Sequence, residues 1–256
     1  MVEQPRPQRE AFERPHTSRA RRIPVGHACA HCRVRHRTFC AALGAEDLAR
    51  FKQLGPTVRV QAGQSLFRQG DTADFVFNIT AGTVRLYKES ADGRRQIAGF
   101  LYAGDCLGFT PDGEHAFAAE AAEPSEFCRF PRAAFAGFMA ARPELRRELY
   151  LITDGELANL REQIVMLGRG RAFERVATFL LQRFDRDCGG DEPEIVRLPM
   201  NRCDIADYLG VTNETVCRSF SALRRQGVIK SLAGRRIQLL ARADLERLSA
   251  RTVCGA

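Results

Sequence analysis

From residue 41 to residue 55 the apolar positions recur at helical spacing. Leu43, Leu48, Phe51 and Leu54 fall on one side, and Gly55-Pro56 ends the run. From Val58 to about Phe130 the texture changes to short strand-like segments: TVRV, QSLF, FVFNIT, TVRLYKES, RQIAGFL and SEFCRF. Between them lie Ala62-Gly63, Gly70-Asp71, Ala81-Gly82, Asp92-Gly93 and Gly104-Asp105. Turn signals at such short intervals predict a sandwich or barrel. Asp92-Gly93, between two alternating segments, predicts a type I′ hairpin. After Pro131 the helical period returns, with a long helix predicted from about Pro143 to Leu167. Its apolar positions Leu145, Leu149, Ile152, Leu157, Leu160, Ile164 and Leu167 step by three, four or five residues. That narrow stripe fits a seam between two helices, or a helix packed on its own barrel. Gly168 and Gly170 break it, and FERVATFLLQRF opens a further helix.

Residues 198–240 carry the sharpest local pattern. LPMNRCDIADYLGVTNETVCRSFSALRRQGVI reads as helix, tight turn, helix. Ile205, Ala206 and Leu209 form the apolar edge of the first helix, Gly210 supplies the turn, and Thr212 is placed to cap the second. On that second helix Val216, Phe220 and Leu223 face inward, while Glu214, Cys217, Arg218 and Ser221 share the opposite face. SLAGRRIQLL gives two short strands around Gly234. A helix-turn-helix with such a wing lays its second helix in a DNA major groove. There Arg218 can grip guanine O6 and N7, and Glu214 can accept from cytosine N4 or brace the Arg. On a surface without that context the same pair is an ordinary i, i+4 ion pair.

The chain has 256 residues, with 39 Lys and Arg against 31 Asp and Glu. Its length allows one large or two smaller domains, and its 45% hydrophobic content is that of a globular protein. No run approaches a membrane span, and no apolar leader opens the sequence, so a cytoplasmic protein without membrane contact is expected. The charge is uneven. Residues 1–40 hold nine Arg and three Glu, residues 41–170 hold 15 basic and 17 acidic groups, and residues 171–256 hold 15 and 11. A basic last third is compatible with a phosphate-binding surface. The aperiodic Pro- and Arg-rich start reads as a mobile arm.

Nine cysteines without an export signal point to metal or redox chemistry rather than disulfides. Cys29, Cys32 and Cys40 lie together in HACAHCRVRHRTFC. Two thiols three residues apart can meet on one metal, and the third can close from the side. Thiolates suit zinc or an iron–sulfur cluster. A fourth ligand is required, from His27, His31, His36 or a distant cysteine.

The order of cysteine arm, barrel, long helix and winged helix resembles the Crp/Fnr family of bacterial transcription regulators, and within it the Fnr/FnrN/FixK branch. The resemblance covers residues 27–248. It rests on Gly70-Asp71, the 90–97 run SADGRRQI, Ala103-Gly104-Asp105 with Gly108-Phe109, the 174–177 run ERVA, the 204–210 run DIADYLG, and Glu214-Thr215-Val216-Cys217-Arg218. It implies an α+β architecture. A basic arm (1–26) precedes a cysteine segment with a jelly-roll barrel of the cyclic-nucleotide-binding type (27–142). A dimerisation helix (143–168) and a winged helix-turn-helix (169–256) complete the chain. The resemblance further implies a homodimer joined along Leu149, Ile152, Leu157, Leu160, Ile164 and Leu167. Such a dimer reads a TTGAT-type palindrome in double-stranded DNA through Thr212, Glu214, Cys217, Arg218 and Ser221, and activates transcription by contacting RNA polymerase. Cluster-bearing members hold an oxygen-labile 4Fe–4S cluster. Here the implied ligands are Cys29, Cys32, Cys40 and Cys128, with Cys106 as the alternate fourth.

Departures from the pattern are local. Seven residues separate Cys32 from Cys40, as in the FnrN-like type. Leu160 stands where the enterobacterial relative has an acidic residue, which predicts a tighter dimer. Cys217 replaces a Ser, as a near-isostere or as a thiol switch. Cys188, Cys203 and Cys254 carry no such argument. The alternative reading is a cluster-free regulator of the FixK kind, zinc-bound or thiol-responsive. A cyclic-nucleotide effector is not expected, because CLGFTPDGEHAFAAEAAEPS offers no Arg for the phosphate. Nor is an enzyme, since the barrel has only His115 and no nucleophile motif or phosphate loop.

Overall fold

The computed structural model describes residues 26–27, 29–90, 93, 95–187 and 193–249. Arm residues 1–25, Asp92 of the expected turn, Cys188 and Cys254 lie outside them. The strand-like region forms two antiparallel four-stranded sheets. One has the order β1 (Thr57–Val60), β8 (Ser125–Pro131), β3 (Phe75–Ala81), β6 (Cys106–Leu107). The other has β2 (Ser65–Phe67), β7 (Ala118–Ala121), β4 (Thr83–Glu89), β5 (Arg95–Tyr102). The six segments predicted from alternation are all strands; β6 and β7 were not predicted. The β4–β5 hairpin pairs Glu89 with Arg95, and Gly93 between them has φ +78°.

Because strand side chains alternate, each sheet has an inner and an outer face. Phe77, Ile79, Val84, Leu107, Ala119 and Phe127 fill the space between the sheets. On the outer face of the first sheet, Val76 and Phe130 join Phe39, Leu43, Leu48, Phe51, Phe135 and Leu145. These come from the cysteine segment, from α1 (Ala45–Leu54), from α2 (Arg132–Ala140) and from the start of α3 (Pro143–Arg169). On the outer face of the second sheet, Tyr87, Ile97 and Phe100 merge with the core of the C-terminal region. A bulge makes this continuity possible. Leu86 pairs with Gly99 and Tyr87 with Ile97, so Ala98 is left over and the parity of β5 reverses there. Arg95, Ile97, Phe100 and Tyr102 therefore share one face.

The C-terminal region starts with α4 (Ala172–Asp187), whose Val176, Ala177, Phe179, Leu180, Leu181 and Phe184 are buried. Helices α5 (Arg202–Leu209) and α6 (Asn213–Arg225) come next, then β10 (Ile229–Leu232), β11 (Arg236–Leu239) and α7 (Arg242–Leu248). The two-stranded wing gains an unpredicted third strand, β9 (Ile195–Arg197), paired with β11. No described helix is long and apolar enough to cross a membrane.

Candidate nucleic-acid interface and cysteine site

The cysteine segment lies on the outer face of the first sheet. Successive turns bring Ala30 N–H to the His27 carbonyl (2.8 Å) and Cys32 N–H to the Cys29 carbonyl (3.2 Å). His27 is a staple rather than a ligand. Its Nδ1 accepts from Cys29 N–H (3.0 Å) and its Nε2 donates to the Ala45 carbonyl (3.2 Å), which occupies both ring nitrogens in one tautomer. His31 and His36 are exposed. Thr38 is buried, donates to the Arg35 carbonyl (3.1 Å) and accepts from Cys40 N–H (3.2 Å). Phe39 then enters an aromatic cluster, 5.4 Å from Phe135 and 5.8 Å from Phe51 between ring centroids. Burying Phe39 and Leu43 contributes roughly 1.5–3 kcal/mol each, which anchors the chain just beside Cys40.

Cys29, Cys32, Cys40 and Cys128 are half-buried and their thiols act on one another. Burial, then Cys128 and Cys32, push the Cys29 thiol up. Cys40 is pushed up to about 12 by burial, with the other three thiols adding to it. Burial also raises Cys128, against the opposing charge of Lys52. Cys106 packs on the same aromatic cluster as Cys29, Cys40 and Cys128. Asn78 on β3 is in register with Cys128 on β8 and with Cys106 on β6, so the two cysteines are two strands, about 10 Å, apart. Asn78 between them is buried, and its Oδ1 has no hydrogen-bond partner.

A polynuclear centre and a single ion make different demands on such a donor set. Four thiols lie within electrostatic reach, yet no three His, Cys, Asp or Glu among the described residues are placed to hold one metal ion. A cubane spreads its ligands wider than tetrahedral zinc does, where Zn–S is about 2.3 Å. Four thiols are the donor type that an iron–sulfur cluster takes, and binding one would require the raised thiols to give up their protons.

The second candidate surface is the helix-turn-helix. Asn201 caps α5 by accepting from Asp204 N–H (2.8 Å), and Asp204 returns the bond to Asn201 N–H (3.3 Å). Gly210, at φ +61°, ends α5 in the left-handed region that the tight turn needs. Thr212 caps α6 by accepting from Thr215 N–H (3.2 Å). Val216, Phe220 and Leu223 are buried, whereas Glu214, Cys217 and Arg218 are exposed and Ser221 is half-buried. Glu214 and Arg218 pair across one turn, with Arg218 78% exposed. Arg224 donates to Ser221 Oγ (2.9 Å), which extends the polar face toward a basic end that the helical pattern had not included. A shallow depression lined by Phe173, Thr215, Cys217, Arg218 and Arg225 runs alongside.

On α3 the single stripe divides. Leu149 and Ile152 turn inward onto the cysteine-side cluster, and Leu167 packs against the C-terminal core. Leu157, Leu160 and Ile164 are exposed, together with Tyr150 and Val165, which the periodicity had not singled out. The reason is the helical repeat: steps of three to five over 27 residues drift around the helix and meet different neighbours at its two ends.

An interdomain contact was not visible in the sequence. Asp204, 1% exposed, accepts from Arg85 Nη1 and Arg95 Nη2 (2.8 Å each), and Arg85 also pairs with Glu120. Arg186 donates to Asp105 (2.7 Å), Arg197 pairs with Glu123 (2.7 Å), and Tyr208 lies 5.3 Å from Phe100.

Most of the chain is similar to known proteins. The Crp-like helix-turn-helix domain matches residues 174–248, and the cyclic nucleotide-binding domain matches residues 57–142. The nitrogen fixation regulation protein FixK of Bradyrhizobium diazoefficiens is 41% identical over 228 residues, spanning 89% of this chain and 96% of that protein. The transcriptional activator protein FnrL of Cereibacter sphaeroides is 37% identical over 82% of this chain and 86% of its own. The solved structure of FixK2 from Bradyrhizobium japonicum superposes with a TM-score of 0.71 at 35% identity, over 77% of this chain and 98% of that one.

Proposed function

The chain belongs to the Crp/Fnr family of transcription regulators, and we propose that it is the oxygen-responsive kind, carrying a 4Fe–4S cluster on Cys29, Cys32, Cys40 and Cys128. Regulators of this family bind DNA and act as dimers. In the proposed dimer Leu157, Leu160 and Ile164 of two α3 helices meet, and each α6 enters a major groove of a TTGAT-type palindrome, from which the dimer recruits RNA polymerase. Arg218 reads a guanine, Glu214 braces it or accepts from a cytosine, and Thr212 and Ser221 lie along the same edge.

One observation carries the sensory part. The turn that holds Cys40 packs on the same aromatic cluster as Leu149 and Ile152 of α3. When bound, the cluster supplies an oxygen-labile tie between four sulfurs, three from the arm and one from the barrel. The chain's own residues determine the structural effect of losing that tie. Phe39 and Leu43 anchor Cys40 on the aromatic cluster, and His27, Cys29 and Val34 are among the contacts of the residues before it. Losing the tie removes a constraint on the turn that holds Cys40 against Leu149 and Ile152, and the dimer seam that continues from that flank shifts out of register with the two half-sites. No cyclic nucleotide enters this scheme, because Cys106 through Ser125 contains no Arg.

Protein purified without oxygen is expected to be brown, to contain iron and sulfide, and to bind a palindromic site by anisotropy titration. Air should bleach it and weaken binding at least tenfold, and C128A should behave as air-treated protein does. Equal operator affinity for anoxic and for air-exposed, iron-free protein would remove the sensory reading and leave the regulator.

A further inference from the structure

Lys52 is one of only three lysines among 39 basic residues. Its Nζ donates to Thr57 Oγ1 (2.8 Å) and to the Gly55 carbonyl (3.0 Å), and lies 3.5 Å from Cys128 Sγ. An ammonium has three N–H bonds, so all three are used and one is aimed at the sulfur. The placement is built into the fold. Lys52 leaves the last turn of α1, and Gly55 fixes how closely that helix approaches the sheet, since a Cβ there would lie 2.0 Å from the Phe130 ring. Strand register then sets Thr57 directly beside Cys128.

We propose that Lys52 is a positioning residue for the cysteine site: through an N–H···S hydrogen bond it holds Cys128 in its ligating role and slows oxidation by dioxygen. The proposal rests on the four-thiolate reading. Air bleaching starts when one electron passes from the iron centre to dioxygen, which leaves as superoxide. The donor becomes one charge more positive in that step. A cation hydrogen-bonded to a ligand sulfur opposes the change, as hydrogen bonds to cluster sulfurs generally raise the potential.

The test compares full-length wild type, K52M and K52R after anaerobic reconstitution, monitoring visible absorbance in air-saturated buffer and iron per chain. K52M is expected to bleach about threefold to tenfold faster than wild type, as loss of one hydrogen bond of ordinary strength implies. K52R should stay within about twofold. Loss of iron from K52M alone, restored in K52R, equally supports the proposal. If K52M fails to fold, judged by thermal melting, T57V decides: it frees the ammonium from its guide and should bleach faster than wild type. Equal bleaching rates in iron-loaded proteins overturn this proposal alone. Absence of iron and sulfide from wild type overturns the cluster reading and this proposal with it.

Discussion

Arg218 and Glu214 sit one turn apart on an exposed helix face, and their pairing contributes only a few tenths of a kcal/mol to the fold. Replacing Arg218 with Ala should therefore leave the melting temperature within error. It should weaken binding to a matched half-site by about 1–3 kcal/mol, and discrimination at one base pair should fall with it. Competition titrations against single-base variants of the site check this; uniform weakening across all variants would instead make Arg218 a phosphate contact. At this scale the sequence was legible wherever chemistry is local. Thr212 as a cap and Gly210 as a turn depend on neighbours within a few positions. Asp204 was read only as part of a family signature. Its partners Arg85 and Arg95 lie more than a hundred positions away, and nothing in local spacing announces them.

At the scale of elements, the periodic signal named every long helix and the six sandwich strands with β-branched or aromatic content, but not the three-residue β9 of the wing. It missed β7, whose sequence AAEA has neither, and β6, which has two residues; both are strands because their neighbours offer an open edge. It also could not divide the α3 stripe, because a hydrophobic position does not say which of two neighbours will cover it. The division predicts two different phenotypes on one helix. L160E should leave monomer stability nearly unchanged and shift sedimentation equilibrium toward monomer, since Leu160 is exposed. I152A should instead destabilise the fold by about 1–3 kcal/mol in denaturant titration, because Ile152 packs on the cysteine-side cluster. Similar oligomeric behaviour of the two variants would contradict the assignment.

At the scale of the whole molecule, the sandwich uses its two outer faces for separate tasks. One carries the cysteine segment, the other the DNA-reading region, and α3 is the element common to both. Asp204 is the buried charge at the second contact. Removing one member of a buried pair leaves the other charges uncompensated, which typically costs about 3–5 kcal/mol. D204A should show that loss in calorimetry. D204N, which retains an amide at the capping position, should keep the C-terminal region folded while separating its melting from that of the barrel. A single, unshifted transition in both variants would mean that Arg85 and Arg95 contribute nothing to domain docking.

The long helix is clamped at its start by Leu145, Leu149 and Ile152 and at its finish by Met166 and Leu167. It therefore behaves as a shaft, not a tether. Each residue added between the clamps would turn the reading head by about 100° about the shaft axis and advance it 1.5 Å. Seven added residues would return it to within about 20° of its starting phase. Changes in the length of this segment thus keep the phase only where they complete nearly whole turns, as about seven or eleven residues do, whatever residues they contain.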